Sequence, residues 1–149
     1  MIVRRKTRQI HVGKVAIGDN APVSVQSMTN TDTRDVEQTV GQIERLQAAG
    51  CDIIRVAVID NDAALAIRSI QEKISIPLIA DIHFDYRLAI AAMENGADGI
   101  RINPGNLGGE DKIAKVVDAA TMHKVPIRVG VNSGSIEKDL LKTYGYPSP

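Results

Sequence analysis

Gly50-Cys51-Asp52-Ile53-Ile54-Arg55-Val56 recurs later in the chain as Gly96-Ala97-Asp98-Gly99-Ile100-Arg101-Ile102. A second pair follows at nearly the same offset: Ile76-Pro77-Leu78-Ile79-Ala80-Asp81-Ile82-His83 and Val125-Pro126-Ile127-Arg128-Val129-Gly130-Val131-Asn132. Each copy holds a short apolar run, then polar or Gly-rich residues, then a helical pattern, which is the signature of β–α units and a parallel sheet. Equal units winding one way predict a (β/α) barrel rather than a doubly wound sheet. A dinucleotide-binding sheet would want Gly-x-Gly-x-x-Gly after its first strand, and Thr29-Asn30-Thr31-Asp32 stands there instead.

Working outward, the α/β pattern resolves into about five βα units. The expected strands are Val23–Met28, Ile53–Val58, Leu78–His83, Gly99–Asn103 and Ile127–Asn132. Before them, Arg8–Ile17 alternates as a β-hairpin turning at Gly13-Lys14. Thr33 or Asp32 is expected to cap a helix ending at Gly50, Asp60 or Asn61 a second, and Asp85 a third ending at Gly96. A fourth helix begins near Glu110 and a fifth near Ser135. The fold class is therefore α/β, an incomplete (β/α)8 TIM-type barrel with an N-terminal β-hairpin, and residues 1–149 form part of one such domain.

The 149 residues are 44% apolar, enough for a real core, and 18 Lys plus Arg balance 18 Asp plus Glu. A net charge of zero gives no reason to expect a nucleic-acid or membrane-surface partner, so any cationic site must be local. One cysteine, Cys51, excludes an intramolecular disulfide or a Cys-rich metal site built from this chain alone, and a reducing, cytoplasmic setting is expected. The basic start Met1–Lys6 has no apolar run after it, and no stretch nears the roughly 18 residues that span a bilayer, so neither export nor membrane insertion is expected.

Strand residues alternate in direction, which splits each strand into two sets. Ile54, Val56, Val58, Leu78, Ala80, Ile82, Ile100, Ile102, Ile127, Val129 and Val131 are uniformly apolar and are assigned to the helix side. The other set carries Arg55, Asp81, His83, Arg101, Asn103, Arg128 and Asn132, with Gln26 from the first strand, and points into the lumen. Charges inside a barrel cost several kcal/mol each unless paired or solvated. One reading is a buried ion-pair cluster in which Asp81 neutralises an arginine. One Asp cannot balance three guanidinium groups, so the other reading is a site for a multiply charged small anion, a diphosphate above all. Barrel sites lie at the C-terminal strand ends, where His83, Asn103 and Asn132 fall. The loops Pro104–Gly109 and Ser133–Ser135 either present backbone N–H groups to an oxyanion or simply turn the chain. His83 is ambiguous alone, and Asp81 on the same face can fix its tautomer. His11 and His123 read as solvated, and Cys51 as a small buried hydrophobe.

Ser27–Thr33, Ala80-Asp81-Ile82-His83-Phe84, Ile100–Asn106 and Ile127–Ser135 resemble the N-terminal barrel of the 4-hydroxy-3-methylbut-2-enyl diphosphate synthase family, along essentially the whole chain. The resemblance implies an iron–sulfur oxidoreductase of the non-mevalonate isoprenoid pathway. Its reaction is the two-electron reductive opening of 2-C-methyl-D-erythritol 2,4-cyclodiphosphate, with a hydroxyl lost as water and electrons from ferredoxin or flavodoxin. It also implies a barrel similar to dihydropteroate synthase, a homodimer, and a C-terminal domain holding a [4Fe–4S] cluster. Arg55, Arg101 and Arg128 would then grip the phosphates with Asn103 and Asn132, while Asp81 and His83, the implied catalytic pair, lie near the reacting carbons.

A full barrel takes about 250 residues, so the last strands, further phosphate ligands and every cluster cysteine are expected outside this chain, which alone should be inactive. A half-covered lumen should leave Ile53, Ile79 and Ala57 partly uncovered. Two other functions remain open: a pterin- or phosphate-binding transferase resembling dihydropteroate synthase, and a non-catalytic oligomerising half-barrel.

Overall fold

The computed structural model describes residues 5–136 and 138–146. The expectations that fall on Met1–Arg4 and on Pro147–Pro149 lie outside the described residues. An antiparallel hairpin comes first, β1 (Ile10–Val12) and β2 (Val15–Ile17), turning at Gly13, whose φ is 52°. Five parallel strands follow: β3 (Gln26–Met28), β4 (Ile53–Val58), β5 (Leu78–Ile82), β6 (Gly99–Ile102) and β7 (Ile127–Val129). They lie side by side in chain order, with β3 and β7 at the edges. An unreversed order is an arc of a barrel; a doubly wound sheet reverses at a switch point. The helices are α1 (Val36–Ala48), α2 (Asn61–Gln71), α3 (Tyr86–Glu94), the single turn α4 (Pro104–Leu107), α5 (Glu110–His123) and α6 (Lys138–Tyr144), with a 3-10 turn at Ser133–Ser135.

The two faces of the sheet pack against different things, as alternation requires. Ile54, Val56, Val58, Leu78, Ala80, Ile82, Ile100 and Ile102 join Ile43, Ile67, Ile70, Ala89, Ala92 and Val116 of the helices in one core. Each fully buried aliphatic side chain there is worth about 1.5–3 kcal/mol. On the lumen side Ile53 and Ile79 form a separate small cluster with Val12, backed by Val15 and Ile17. This corrects the expectation that both would be uncovered: at 1% and 4% exposure they are buried, because the hairpin folds under the N-terminal ends of the strands. Gly99 admits Val12 there, since a Cβ on it would stand 3.5 Å from Val12 Cγ1 and 3.2 Å from Ile79 Cγ1.

The internal repeat has a structural cause. Gly50 and Gly96, at φ 93° and 94°, end α1 and α3, and the Asp two residues on ties down the start of the preceding strand. Asp52 Oδ2 accepts from the Val25 N–H at 2.8 Å and Asp98 Oδ2 from the Leu78 N–H at 2.9 Å; the Asp52 and Asp98 N–H groups donate back to the Val25 and Leu78 carbonyls.

Several boundaries differ from those read in the sequence. The first strand starts at Gln26, not Val23, and Val23 and Val25 are 74% and 55% exposed, because they lie on an edge with a neighbour on one side only. Asp35, not Thr33 or Asp32, caps α1, accepting from the Gln38 N–H at 3.1 Å. Thr33 instead donates to the Ala57 carbonyl at 2.6 Å, and Asp32 folds back on Arg34. Asp60 and Asp85 cap α2 and α3 as expected. The strand expected to run to Asn132 ends at Val129, and its helix-side Val129 and Val131 are 59% and 61% exposed at the other edge.

Candidate functional site

Parallel register stacks the polar lumen residues in a row. Ala57 stands beside Asp81, Asp81 beside Arg101, and Arg101 beside Arg128. Asp81 is 3% exposed and sits between two guanidinium groups. Arg101 Nη1 donates to its Oδ1 at 3.2 Å, and Arg55 Nε lies 3.4 Å from its Oδ2. Arg55 Nε also donates to Met28 Sδ at 3.3 Å, across from the edge strand β3. Arg55 and Arg101 keep roughly a fifth to a quarter of their side chains open to solvent. Burial of all three groups in one cluster is tolerable because the charges are paired, yet one carboxylate leaves a surplus positive charge on its two arginines.

Arg128 lies on the same face but turns elsewhere: its Nη1 donates to Gln26 Oε1 at 3.0 Å, joining the two edge strands across the lumen. Both residues line a cavity of about 420 Å³ floored by Val12, Ile53 and Ile79. The three arginines therefore share the lumen, with two on Asp81 and the third above the hairpin.

At the strand ends, Asn103 is 2% exposed and its Oδ1 has no hydrogen-bond partner among the described residues. A buried unpaired acceptor costs about 1–3 kcal/mol, so it marks a place where a further polar group belongs. His83 does not hydrogen-bond Asp81; its Nε2 is 3.9 Å from Oδ2, and nearly half its side chain is exposed, beside the exposed Phe84 ring. The expected tautomer-fixing contact is thus absent. Asn132 is exposed, beyond the strand, where it opens the 3-10 turn: its N–H donates to Ser135 Oγ at 3.2 Å, and that hydroxyl donates to its carbonyl at 3.0 Å. No described contact brings it to the Asp81 group.

The glycine-rich loop after β6 turns the chain. Pro104–Leu107 is a helical turn closed by Gly108 at φ 84°, and Glu110 and Asp111 already put two carboxylates on the first turn of α5. Gly105 packs so tightly on the Ser135 carbonyl that any Cβ would collide with it, which locks the loops after β6 and β7 together.

Arginines at the rim differ from those in the lumen. Side-chain hydrogen bonds from Arg34, aided by its backbone N–H and its charge, hold the Asp32 carboxyl down to about 2. Arg34 also reaches Asp60 at 3.0 Å. Arg87 likewise lowers Asp85 through side-chain and backbone hydrogen bonds. Each rim arginine follows its aspartate by two residues and is neutralised by it. Alternation along the strand puts Gly130 on the lumen side with Arg128 and Asn132 but gives it no role; the signal that could have found one is that a glycine inside a strand pattern is a sign of close approach.

The residues present do not fit a metal cluster. Cys51 is the sole cysteine in the sequence and is buried, with its Sγ 3.1 Å from the Ile53 carbonyl. No group of three His, Cys, Asp or Glu able to hold a metal occurs among the described residues. No described helix is long and apolar enough to cross a membrane.

Residues 7–149 match the GcpE TIM-barrel domain. The chain is 74% identical over 148 residues to the 4-hydroxy-3-methylbut-2-en-1-yl diphosphate synthase (flavodoxin) of Desulfotalea psychrophila, covering 99% of this chain and 41% of that protein. It is 61% identical over 147 residues to the protein of the same name from Caldanaerobacter subterraneus, with coverages of 99% and 41%. The chain thus spans about two fifths of the length of these relatives. Among solved structures, Yersinia pestis dihydropteroate synthase superposes with a TM-score of 0.64 at 13% identity, over 92% of this chain and 52% of that one. The Stenotrophomonas maltophilia enzyme gives 0.62 at 17%, over 93% and 57%. At such identities the likeness concerns the fold alone.

Proposed function

The chain belongs to the GcpE TIM-barrel domain family, and from that premise we propose that residues 1–149 are the N-terminal part of the substrate-binding barrel of a 4-hydroxy-3-methylbut-2-enyl diphosphate synthase. The remaining strands and a C-terminal [4Fe–4S] domain belong to the longer protein, a homodimer of the reducing cytoplasm. The whole protein reductively opens 2-C-methyl-D-erythritol 2,4-cyclodiphosphate, taking up two electrons and two protons and releasing one water. Flavodoxin, which appears in the relatives' names, is the proposed donor, with ferredoxin the alternative.

The observation that carries this reading is the lumen set of Arg55, Arg101 and Arg128 against a single buried carboxylate, Asp81. Guanidinium forks match phosphate oxygens, and two phosphates would balance the surplus charge. Asn103 Oδ1, the unpartnered acceptor, would accept from a hydroxyl of the same ligand. Asn132 would join from the 3-10 turn once the substrate orders the mouth. Asp81 orients Arg55 and Arg101, and with His83 at the open end it would lie near the reacting carbons. Electrons would come from a cluster held outside this chain, whose own part is to bind and orient.

Reconstituted full-length protein should turn over the cyclic diphosphate only with its cluster in place, and Arg101→Ala should raise the substrate dissociation constant about tenfold or more, the value of one charge-assisted hydrogen bond. Absence of cluster-dependent turnover, or displacement of a pterin probe without protection by the cyclodiphosphate, would sink the reading.

A further inference from the structure

We propose that Gly130 is a positioning residue: the space left by its missing side chain seats the Arg101 guanidinium on Asp81, in the position from which it binds a phosphate. A Cβ on Gly130 would stand 2.6 Å from both Nε and Nη2 of Arg101 and 2.9 Å from Cζ, distances no carbon tolerates. The backbone cannot retreat, because the Gly130 N–H is bonded to the Ile102 carbonyl at 2.9 Å, on the strand that carries Arg101 itself. Nor does the main chain need glycine for its conformation, since Gly130 is absent from the positive-φ positions. What the position requires is room.

The guanidinium is thereby held from two sides. Its Nη1 is fixed to Asp81 Oδ1 on β5 at 3.2 Å, and its opposite edge lies over bare backbone after β7. Nε and Nη2 face Gly130, and among the described residues neither has a protein hydrogen-bond partner. An alanine at 130 would push the guanidinium off this seat, breaking the Asp81 bond and displacing its donors in the lumen. The proposal rests on the reading that Arg101 binds substrate phosphate.

The test uses full-length protein in four forms: wild type, Gly130→Ala, Arg101→Ala and the double variant. Binding of the cyclic diphosphate is measured by calorimetry and stability by thermal denaturation. Gly130→Ala should weaken binding roughly tenfold, as if one charge-assisted bond were lost, and lower the melting temperature. With Arg101 already truncated, the three atoms nearest the added methyl are gone, so the double variant should bind and melt like Arg101→Ala. Equal losses from Gly130→Ala in both backgrounds, or wild-type behaviour of the single variant, would overturn the proposal. Should Arg101→Ala bind like wild type, the phosphate reading fails, while the seat is still judged by the melting temperatures. Should Gly130→Ala fail to fold, recovery of folding in the double variant supports the seat, and failure of both refutes it.

Discussion

Replacing Asp81 with Asn removes one charge and almost no volume, so it isolates the carboxylate's part in the lumen. Its two partners, Arg55 at 3.4 Å and Arg101 at 3.2 Å, would be left facing each other without a counter-ion. Stripping one partner from a buried ion pair costs about 3–5 kcal/mol. Here both guanidinium groups keep part of their hydration, which brings the expected loss down to about 2–3 kcal/mol. At roughly 2–4 °C per kcal/mol, the melting temperature should fall by about 4 °C or more. The same substitution should favour anions. A carboxylate ~6 Å from a phosphate charge opposes it by about 3 kcal/mol at an effective dielectric of about 20, and solvent screening still leaves tenfold tighter pyrophosphate binding. Pyrophosphate at a hundred times its dissociation constant contributes about 2.7 kcal/mol, so it should restore the lost stability. Thermal denaturation of full-length wild type and Asp81→Asn, with and without pyrophosphate, reads all of this. A variant as stable as wild type that binds pyrophosphate no more tightly would refute the counter-ion role.

Other outcomes follow from the scaffold. Asp98→Ala should cost about 1–3 kcal/mol in denaturant titration, because it orphans the N–H of fully buried Leu78 and releases Gln71, whereas Asp52→Ala, whose partner Val25 is exposed, should cost less. Asp32 has a folded-state value below its ordinary one, so its pairing with Arg34 stabilises the fold above about pH 4 and is lost as pH falls toward about 2. Asp32→Asn should therefore flatten the acid limb of the stability profile between those values, with the difference shrinking in high salt; an unchanged limb would contradict the pairing. The 149-residue chain expressed alone should self-associate through the open edges at β3 and β7, and sedimentation as a compact monomer would count against edge pairing.

Most of the architecture was legible because it rests on period and repetition. The apolar set Ile54, Val56, Val58, Leu78, Ala80 and Ile82 needed only alternation to be assigned to the helix face, and the structure buries all six there. The Gly-x-Asp repeat was visible as a pattern, but its cause was not, since the hydrogen bond from the Leu78 N–H to Asp98 Oδ2 spans twenty residues of sequence. Long-range placement defeated local reading elsewhere too. Nothing in Ile10–Ile17 says that the hairpin turns under the strands to cover Ile53 and Ile79. Asp32 and Asp35 are equally good caps by residue type, and Arg34 decides between them by claiming the first. At the site, alternation brought Arg55, Asp81, Arg101 and Arg128 to one face, while the 3.9 Å gap between His83 and Asp81 depends on a side-chain rotamer that no spacing encodes. Gly130 was legible only as an oddity, because its meaning lies in the guanidinium of a neighbouring strand.

The central claim, that this lumen face grips a diphosphate, is tested most directly by a crystal structure of the full-length protein with 2-C-methyl-D-erythritol 2,4-cyclodiphosphate bound. Phosphate oxygens are expected within hydrogen-bonding distance of the Arg101 guanidinium and of Arg55 or Arg128, with a ligand hydroxyl on Asn103 Oδ1 and Asp81 still holding Arg101 from behind. Phosphates bound away from these guanidinium groups, with the arginines still paired only to Asp81 and Gln26, would contradict it.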